Sequence, residues 1–357
     1  MKVLFVFEFG LLHYRLPILE RIAADASVEK LDIMHTLDHS NKEYGFTELK
    51  VKTKTFWKFK LIPEVNNLLD KYDVIVFSFN LWRPSWFYAL GKPRKAKYIL
   101  WGQGFGRGKN YLVAQLVRIY FAKWADALIF YTPTECARFT KHGIPREKMF
   151  VAQNTLHISN AAPTTDSAKT DLLYVGRIQK RKGLDDLLRA FAMVKNEIPD
   201  AVTIRVVGDA INPEDKTELQ HLTAELGLEQ RVTFEPGVFD DEALKEKFAN
   251  SIAYVSPNHV GLGVVHSFAY GVPVITNKTR KHAPEFEYCN DENSVLYEGE
   301  LKELAASIKL LCNNPTLQKQ LGQAAYQYYD NNLRVHNMVN GFLDSFHYAL
   351  NEKSVSV

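Results

Sequence analysis

Cysteine is scarce in this 357-residue chain: Cys136, Cys289 and Cys312 stand far apart, with no Cys-x-x-Cys among them. An odd number at such spacings excludes a disulfide framework and a structural zinc site, and fits a reducing compartment. Long apolar runs are missing too. No uninterrupted stretch approaches the roughly 20 residues of a membrane-spanning helix. The start, MKVLFVFEFG, has one lysine and a short apolar run, but Glu8 interrupts it and no small-residue cleavage site follows. It reads as a first buried strand and not as a signal peptide. A cytoplasmic protein is the expectation. No Asp-x-Asp is placed for a metal, so no metal and no cofactor are expected.

What is present suits a soluble globular chain, with 46% hydrophobic and 24% charged residues. The length is large for one core and suggests two domains. The net charge of +3 hides an asymmetry. Residues 1–166 carry 24 Lys and Arg against 15 Asp and Glu, and the remainder carries 20 against 26. The basic half holds FWKFK (56–60), GKPRKAKY (91–98) and GRGKN (106–110), where cations mix with aromatics. Such a face suits anionic lipid headgroups or an anionic substrate, or is a solvated surface. No nucleic-acid partner is expected.

Short apolar runs alternate with amphipathic stretches along the whole chain. VLFVFEF, KLDIMHT, DVIVFSF, KYILWGQ, ADALIFYT and KMFVAQN read as strands in the first half, and DLLYVGR, VTIRVVGD, RVTFEPG, IAYVSP, PVITN and SVLYEG in the second. Helical periodicity falls between them, as in LPILERIAADA, YLVAQLVRIYFAKWA and LDDLLRAFAMVKNEI. This alternation predicts an α/β chain of two Rossmann-like, doubly wound parallel-sheet domains. NTLHISNAAPTTDSAKTD (154–171), poor in large apolar residues, is the natural linker. The expected division is 1–160, 161–335 and a final helix, 336–357. Ligands of such folds bind at the carboxyl ends of the strands, so a central cleft between the domains is the expected site.

Two strand-to-helix loops carry the chemistry. In LLYVGRIQKRKGLDDLLRAF (172–191), Arg177 and Lys182 sit where a strand gives way to a helix, and both suit an anionic group. In NHVGLGVVHSFAYGVPVI (258–275), a strand is followed by Asn258, His259 and the small run Gly261-Leu262-Gly263, then by a helical pattern containing Val264 and His266. Glycine lets an anion approach the backbone where unpaired N–H groups converge. Either loop alone is equally read as a packing turn; together they fit a diphosphate gripped from two sides.

These residues resemble a retaining, nucleotide-sugar-dependent glycosyltransferase of family 4 with the GT-B fold. The resemblance runs in order through VGRIQKRKGLDDLLRAF, VVGDA (206–210), VTFEPGVF (232–239), YVSPNHVGLGVVHSFAYGVPVI and PEFEYCNDENSVLYEG (284–299), about 130 residues. QNTLH (153–157) and GLLHYRLPILERI (10–22) are weaker matches in the first half. The resemblance implies that Arg177 and Lys182 hold the donor diphosphate, and that amides around Gly261, Leu262, Gly263 and Val264 contact the same phosphates. It places Gly237 and Val238 at the base. Gly10 lies in the first loop, and the final helix would cross back onto the first domain.

The departures are specific. The family carries two glutamates eight positions apart, and alignment on Gly271-Val272-Pro273 puts Asn258 and His266 there. Asn258 offers one donor and one acceptor to the sugar; His266 offers a ring nitrogen to the ribose. SPNHVGL, His266 and PEFE resemble a glutamate-free branch of the family, in which Glu285 or Glu287 would supply a carboxylate to the ribose or sugar. The histidine that the first domain commonly supplies is replaced by Gln103, which cannot shuttle a proton. His13 is an alternative or a structural residue. Arg15 and Arg107 are candidate contacts to a donor phosphate or an anionic acceptor, and Trp82, Trp86 and Trp101 are candidates for stacking on sugar rings or for core packing. The expected reaction moves a hexose-type sugar to a glycan or lipid-linked oligosaccharide, in bacterial cell-surface polysaccharide assembly, and docking to the inner membrane face is the expectation from the basic first half. Cationic side chains would replace a divalent ion. The rivals are a silent nucleotide-sugar-binding scaffold and a GT-B nucleotide-sugar epimerase.

Overall fold

The structure of the chain, a computed structural model, describes residues 1–36, 43–93, 95–105, 112–163 and 169–351. It divides into two units, Met1–His157 with the segment from Arg334 on, and Ile158–Leu333. Strands of the first unit are β1 (Lys2–Val6), β2 (Lys30–His35), β3 (Thr47–Lys50), a hairpin of β4 (Lys54–Phe56) and β5 (Phe59–Leu61), then β6 (Val74–Ser78), β7 (Lys97–Gly102), β8 (Ala127–Phe130) and β9 (Met149–Val151). Seven of them pair in parallel in the order β3-β2-β1-β6-β7-β8-β9. The second unit has β10 (Asp171–Val175), β11 (Thr203–Val207), β12 (Val232–Glu235), β13 (Ser251–Val255), β14 (Val274–Asn277) and β15 (Ser294–Tyr297). They pair in parallel as β12-β11-β10-β13-β14-β15.

Both orders reverse direction once, beside β1 in the first sheet and beside β10 in the second. At such a switch point the loops leaving the two central strands diverge to opposite faces and open a crevice at the carboxyl ends. Every run read as a strand carries one of the parallel strands. The sequence reading missed β3, β4 and β5. TELK, KTF and FKL are short, polar and largely exposed, so they offer no apolar alternation to read.

Helices α1 (Leu16–Ala23), α2 (Leu112–Trp124) and α3 (Pro133–Thr140) belong to the first unit, and α4 (Leu184–Val194), α5 (Pro213–Glu225), α6 (Asp241–Ala249), α7 (Gly263–Ala269), α8 (Leu301–Cys312) and α9 (Pro315–Tyr328) to the second. Helix α4 shows why these segments coil. Leu184, Leu187, Leu188, Phe191 and Val194 recur at helical spacing and are buried, while Asp185 and Asp186 sit in the first turn, where the helix dipole favours negative charge. The stretch after His157 packs on the second unit: Ile158 is buried, and Ser159 donates through its N–H and hydroxyl to Asp241 at 3.1 and 3.0 Å. Among the described residues, no helix is long and apolar enough to cross a membrane.

The last helix, α10 (Val335–Ala349), lies on the first unit against α1, β8 and β9. Its Met338, Val339, Phe342 and Phe346 complete the core formed with Phe5, Phe7 and Trp101. Gly341 allows this approach, because a Cβ there would stand 2.3 Å from the Val151 carbonyl oxygen. In an exposed helix, Gly→Ala stabilises by about 0.5–1 kcal/mol. Here overpacking reverses the sign: Gly341→Ala is expected to destabilise by about 1–3 kcal/mol in equilibrium urea unfolding. A gain in stability would contradict the packing described.

Candidate functional site

The loops singled out by sequence leave β10 and β13, the two strands that flank the switch point of the second sheet. They touch. Lys182 ends a 3-10 turn (Lys180–Lys182), and its Nζ donates to the His259 carbonyl oxygen at 2.9 Å, as the Ser256 hydroxyl does at 3.1 Å. The Asn258 N–H donates to the Lys182 carbonyl at 3.3 Å, and Asn258 Nδ2 donates to Asp186 Oδ2 at 2.9 Å. Gly183 joins the turn to α4 with φ +70°, and a Cβ there would stand 2.3 Å from Asn258 Nδ2. Only glycine meets both demands.

A carboxylate only accepts, so the Asn258 amide nitrogen faces Asp186. One of its two N–H groups is engaged there, and the other, with Oδ1, remains for a sugar. A glutamate here would set two carboxylates against each other, so the asparagine is matched to Asp186.

Lys182 is half-buried, and burial, with Arg181 adding to it, lowers its pKa from 10.5 to about 8; Glu285 works against both. Arg177 is exposed at the other end of the loop, where its carbonyl accepts the Tyr174 hydroxyl at 2.9 Å. Gly261, Leu262 and Gly263 are half-buried, and their three N–H groups have no hydrogen-bond partner among the described residues. The Val264 N–H is different. It donates to the Gly261 carbonyl at 3.1 Å, so the turn itself uses the amide expected to meet a phosphate.

The remaining candidates of this unit fall into separate groups. His266, on α7, is flanked by Phe248 and Tyr270; burial lowers its pKa to about 4 despite Asp241, leaving a neutral imidazole. Gly237 and Val238 follow β12, with the Gly237 N–H on Asp209 Oδ1 at 3.2 Å. The ring of Phe239, 91% exposed, lies over Gly237 and was missed by sequence reasoning because nothing in VTFEPGVF marks that side chain as outward. Glu285, expected with the ribose group, is buried and acts electrostatically on Lys182. Glu287, in the same short turn, is half-buried. A cavity of about 430 Å³ beside Lys180, Asp185 and His221 takes in none of these residues.

In the first unit, a cavity of about 410 Å³ opens at the carboxyl ends of β1, β6, β7 and β8. Arg15 and Gln103 line it together with Trp82 and Trp101, whereas His13 is exposed and outside its lining, and Gly10 is buried and also outside it. Trp86 is 2% exposed and packs on Phe121 in the core, which decides against a stacking role. Arg107 lies outside the described residues. Sequence reasoning missed Arg118, Asn80 and Tyr131, which join the lining only through the tertiary fold.

The two glycines of the β13 loop separate packing from ligand contact. A Cβ on Gly261 meets nothing within 4 Å, whereas one on Gly263 would stand 2.3 Å from the hydroxyl of Tyr254, a residue 1% exposed. Gly263→Ala is expected to lose about 1–3 kcal/mol of stability. Gly261→Ala should stay within about 0.5 kcal/mol of the parent yet bind inorganic diphosphate, the anion that the loop is read to hold, roughly tenfold more weakly. Calorimetric titration and urea unfolding read the two effects, and unchanged diphosphate affinity in Gly261→Ala would remove this loop from the anion site.

Residues 159–328 match the family model of glycosyl transferases group 1. An uncharacterized glycosyltransferase of Haemophilus influenzae is 24% identical over 235 residues, 63% of this chain and 63% of its own length. The lipopolysaccharide core biosynthesis glycosyltransferase LpsD of Rhizobium meliloti is 27% identical over 231 residues, 62% and 63% of the two chains. The match thus spans about 63% of the length of these relatives. Among solved structures, HepE of Anabaena in complex with UDP aligns with a TM-score of 0.72 at 18% identity, over 96% of this chain and 98% of its own, a likeness of fold. Residues 159–328 are thus similar to the glycosyl transferases group 1, and the two parallel-sheet units of the chain have the GT-B fold.

Proposed function

We propose that the chain transfers a hexose-type sugar from a nucleoside-diphosphate donor to a glycan or lipid-linked oligosaccharide acceptor, with retention and without a metal, in bacterial cell-surface polysaccharide assembly. One observation carries this reading. Two loops at a switch point are locked to each other, and they bring a half-buried Lys182 together with three unpartnered amides, Gly261 to Gly263. Arg177 and Lys182 would neutralise the departing diphosphate. The acceptor oxygen would attack the anomeric carbon from the face the diphosphate leaves, its proton passing to a leaving phosphate oxygen as the old C–O bond breaks. Stabilisation of that developing charge is then the largest catalytic contribution. The neutral His266 would bond the ribose, Gly237 and Val238 would line the base, and the exposed ring of Phe239 would stack on it. Glu285, which acts electrostatically on Lys182, or Glu287 would supply a carboxylate to the ribose or the transferred sugar.

Arg177→Ala and Lys182→Ala are each expected to cut turnover at saturating donor by about 10²-fold or more. Lys182 binds an anion as a cation, so UDP affinity should be flat well below pH 8 and weaken as pH rises through about 8. That dependence should be absent from Lys182→Met. Near-normal turnover in both alanine variants would refute the assignment, and UDP binding with no transfer to any acceptor would indicate a silent scaffold.

Location at the inner membrane face belongs to the same reading. The β4–β5 hairpin presents Phe56 at 76% and Trp57 at 69% exposure, with Lys58 over the Trp57 ring at 5.0 Å and Trp82 packed beside it at 5.8 Å. Aromatics interleaved with cations suit an anionic bilayer surface. The chain should sediment with phosphatidylglycerol-containing vesicles at low salt, and Trp57→Ser with Lys58→Ser should abolish this. No sedimentation would end the membrane assignment.

A further inference from the structure

The first unit holds a buried cation that meets no carboxylate among the described residues. Arg15, at the end of the turn that follows β1, is 8% exposed and lines the 410 Å³ cavity. Its guanidinium stands 4.3 Å from the Trp101 ring and 5.5 Å from that of Phe9, and Nη2 donates to the Tyr131 hydroxyl at 3.2 Å. Its Nε is buried without a hydrogen-bond partner. Burial works against the charge, but the phenols of Tyr131 and Tyr14 outweigh it and the pKa is raised; no carboxylate is among the groups that act on it. Glu8, close in sequence, is not among the groups that act on Arg15: its Oε1 accepts the Ser85 N–H at 3.1 Å, and burial lifts its pKa to about 7, so it is only about half ionised near neutrality.

Two more guanidinium groups share this surroundings. Arg118 lines the same cavity with a buried, unpartnered Nε, and Glu135, the acidic group that acts on it, is already bonded to Arg138 and to the Phe105 N–H. Arg83 lies 4.9 Å from the Phe9 ring, the ring that Arg15 also covers. A desolvated guanidinium without a counter-charge is costly, and a site that keeps one is built for an anion that arrives from outside. The cavity is also of ligand size, within the roughly 300–1,000 Å³ usual for small-molecule sites. Its walls, Phe9, Trp101, Phe105 and Tyr131, are flat apolar faces suited to a sugar ring, and Asn80 and Gln103 offer hydrogen bonds at its edge.

We propose that this cavity receives the acidic substituent of the acceptor glycan, a uronate carboxylate or a sugar phosphate, with Arg15 as its fixed counter-charge and the aromatic walls holding the ring. The inference rests on the transferase reading and narrows its acceptor to an anionic class. A donor diphosphate is the other source of the same oxyanion chemistry. The second unit already supplies Arg177, Lys182 and the amides of Gly261 to Gly263 for that group, and the Arg15 cavity is lined by first-unit residues alone.

Calorimetric titration of the full chain with methyl glucuronide, glucose 6-phosphate, methyl glucoside and UDP separates these cases. At least one acidic sugar should bind about tenfold or more tightly than the neutral glucoside, and Arg15→Gln should bring the gap within about twofold while UDP affinity is unchanged. Equal binding of acidic and neutral sugars by the parent chain overturns the proposal, as does a loss of UDP affinity in Arg15→Gln, which would give the arginine to the donor. If Arg15→Gln does not fold by thermal unfolding, Arg118→Gln replaces it, and the parent comparison stands by itself. Failure to bind UDP with the preference for acidic sugars intact would sink the transferase reading but support the anion pocket.

Discussion

The hydrogen bond from Asn258 to Asp186 holds the second unit's site in shape. It runs from the loop after β13 to the first turn of α4, across the switch point of the sheet. It works only because Gly183 adopts a left-handed conformation and has no Cβ to strike the amide. Lys182 is fixed by the same contact, since its carbonyl accepts from the Asn258 backbone while its ammonium donates to His259. With the two loops clasped, the free amides of the β13 turn and the lysine are presented together.

Desolvation then gives both units their chemistry. Burial draws Lys182 down to about 8, close enough to neutrality for its charge to respond to what binds. Burial keeps His266 neutral, a hydrogen-bonding group and not a cation. In the first unit, burial surrounds the Arg15 charge with aromatic rings and phenols and leaves its Nε without a partner. Each of these groups lies on or beside a loop that follows a parallel strand, because a doubly wound sheet leaves only that edge open.

The order of strands and helices was legible along the chain because strands buried on both faces must be apolar throughout, and their helices must be amphipathic. The loops with Arg177, Lys182 and Gly261 to Gly263 were legible as strand-to-helix turns carrying cations and glycine; that they touch was not, since Lys182 and His259 lie 77 residues apart. Short polar strands such as β3 were not, because edge strands need no apolar face. The use of the Asn258 amide was also hidden: Asp186 is 72 residues away in sequence. A glutamate-to-asparagine change reads as a lost acid until its neighbour is seen.

The sequence by itself determined the fold class, the two-unit rhythm, and which loop carries which anion-suited residue, because these depend on local spacing and burial pattern. Only the tertiary structure decided that Asn258 serves Asp186, that Glu285 acts electrostatically on Lys182, that Trp86 is core while Trp101 carries Arg15, and that Arg15 meets no carboxylate among the described residues. Those are facts about which side chains become neighbours once distant strands pair, and about how much water remains around them. Charge compensation is a property of that neighbourhood, so no reading along one dimension can supply it.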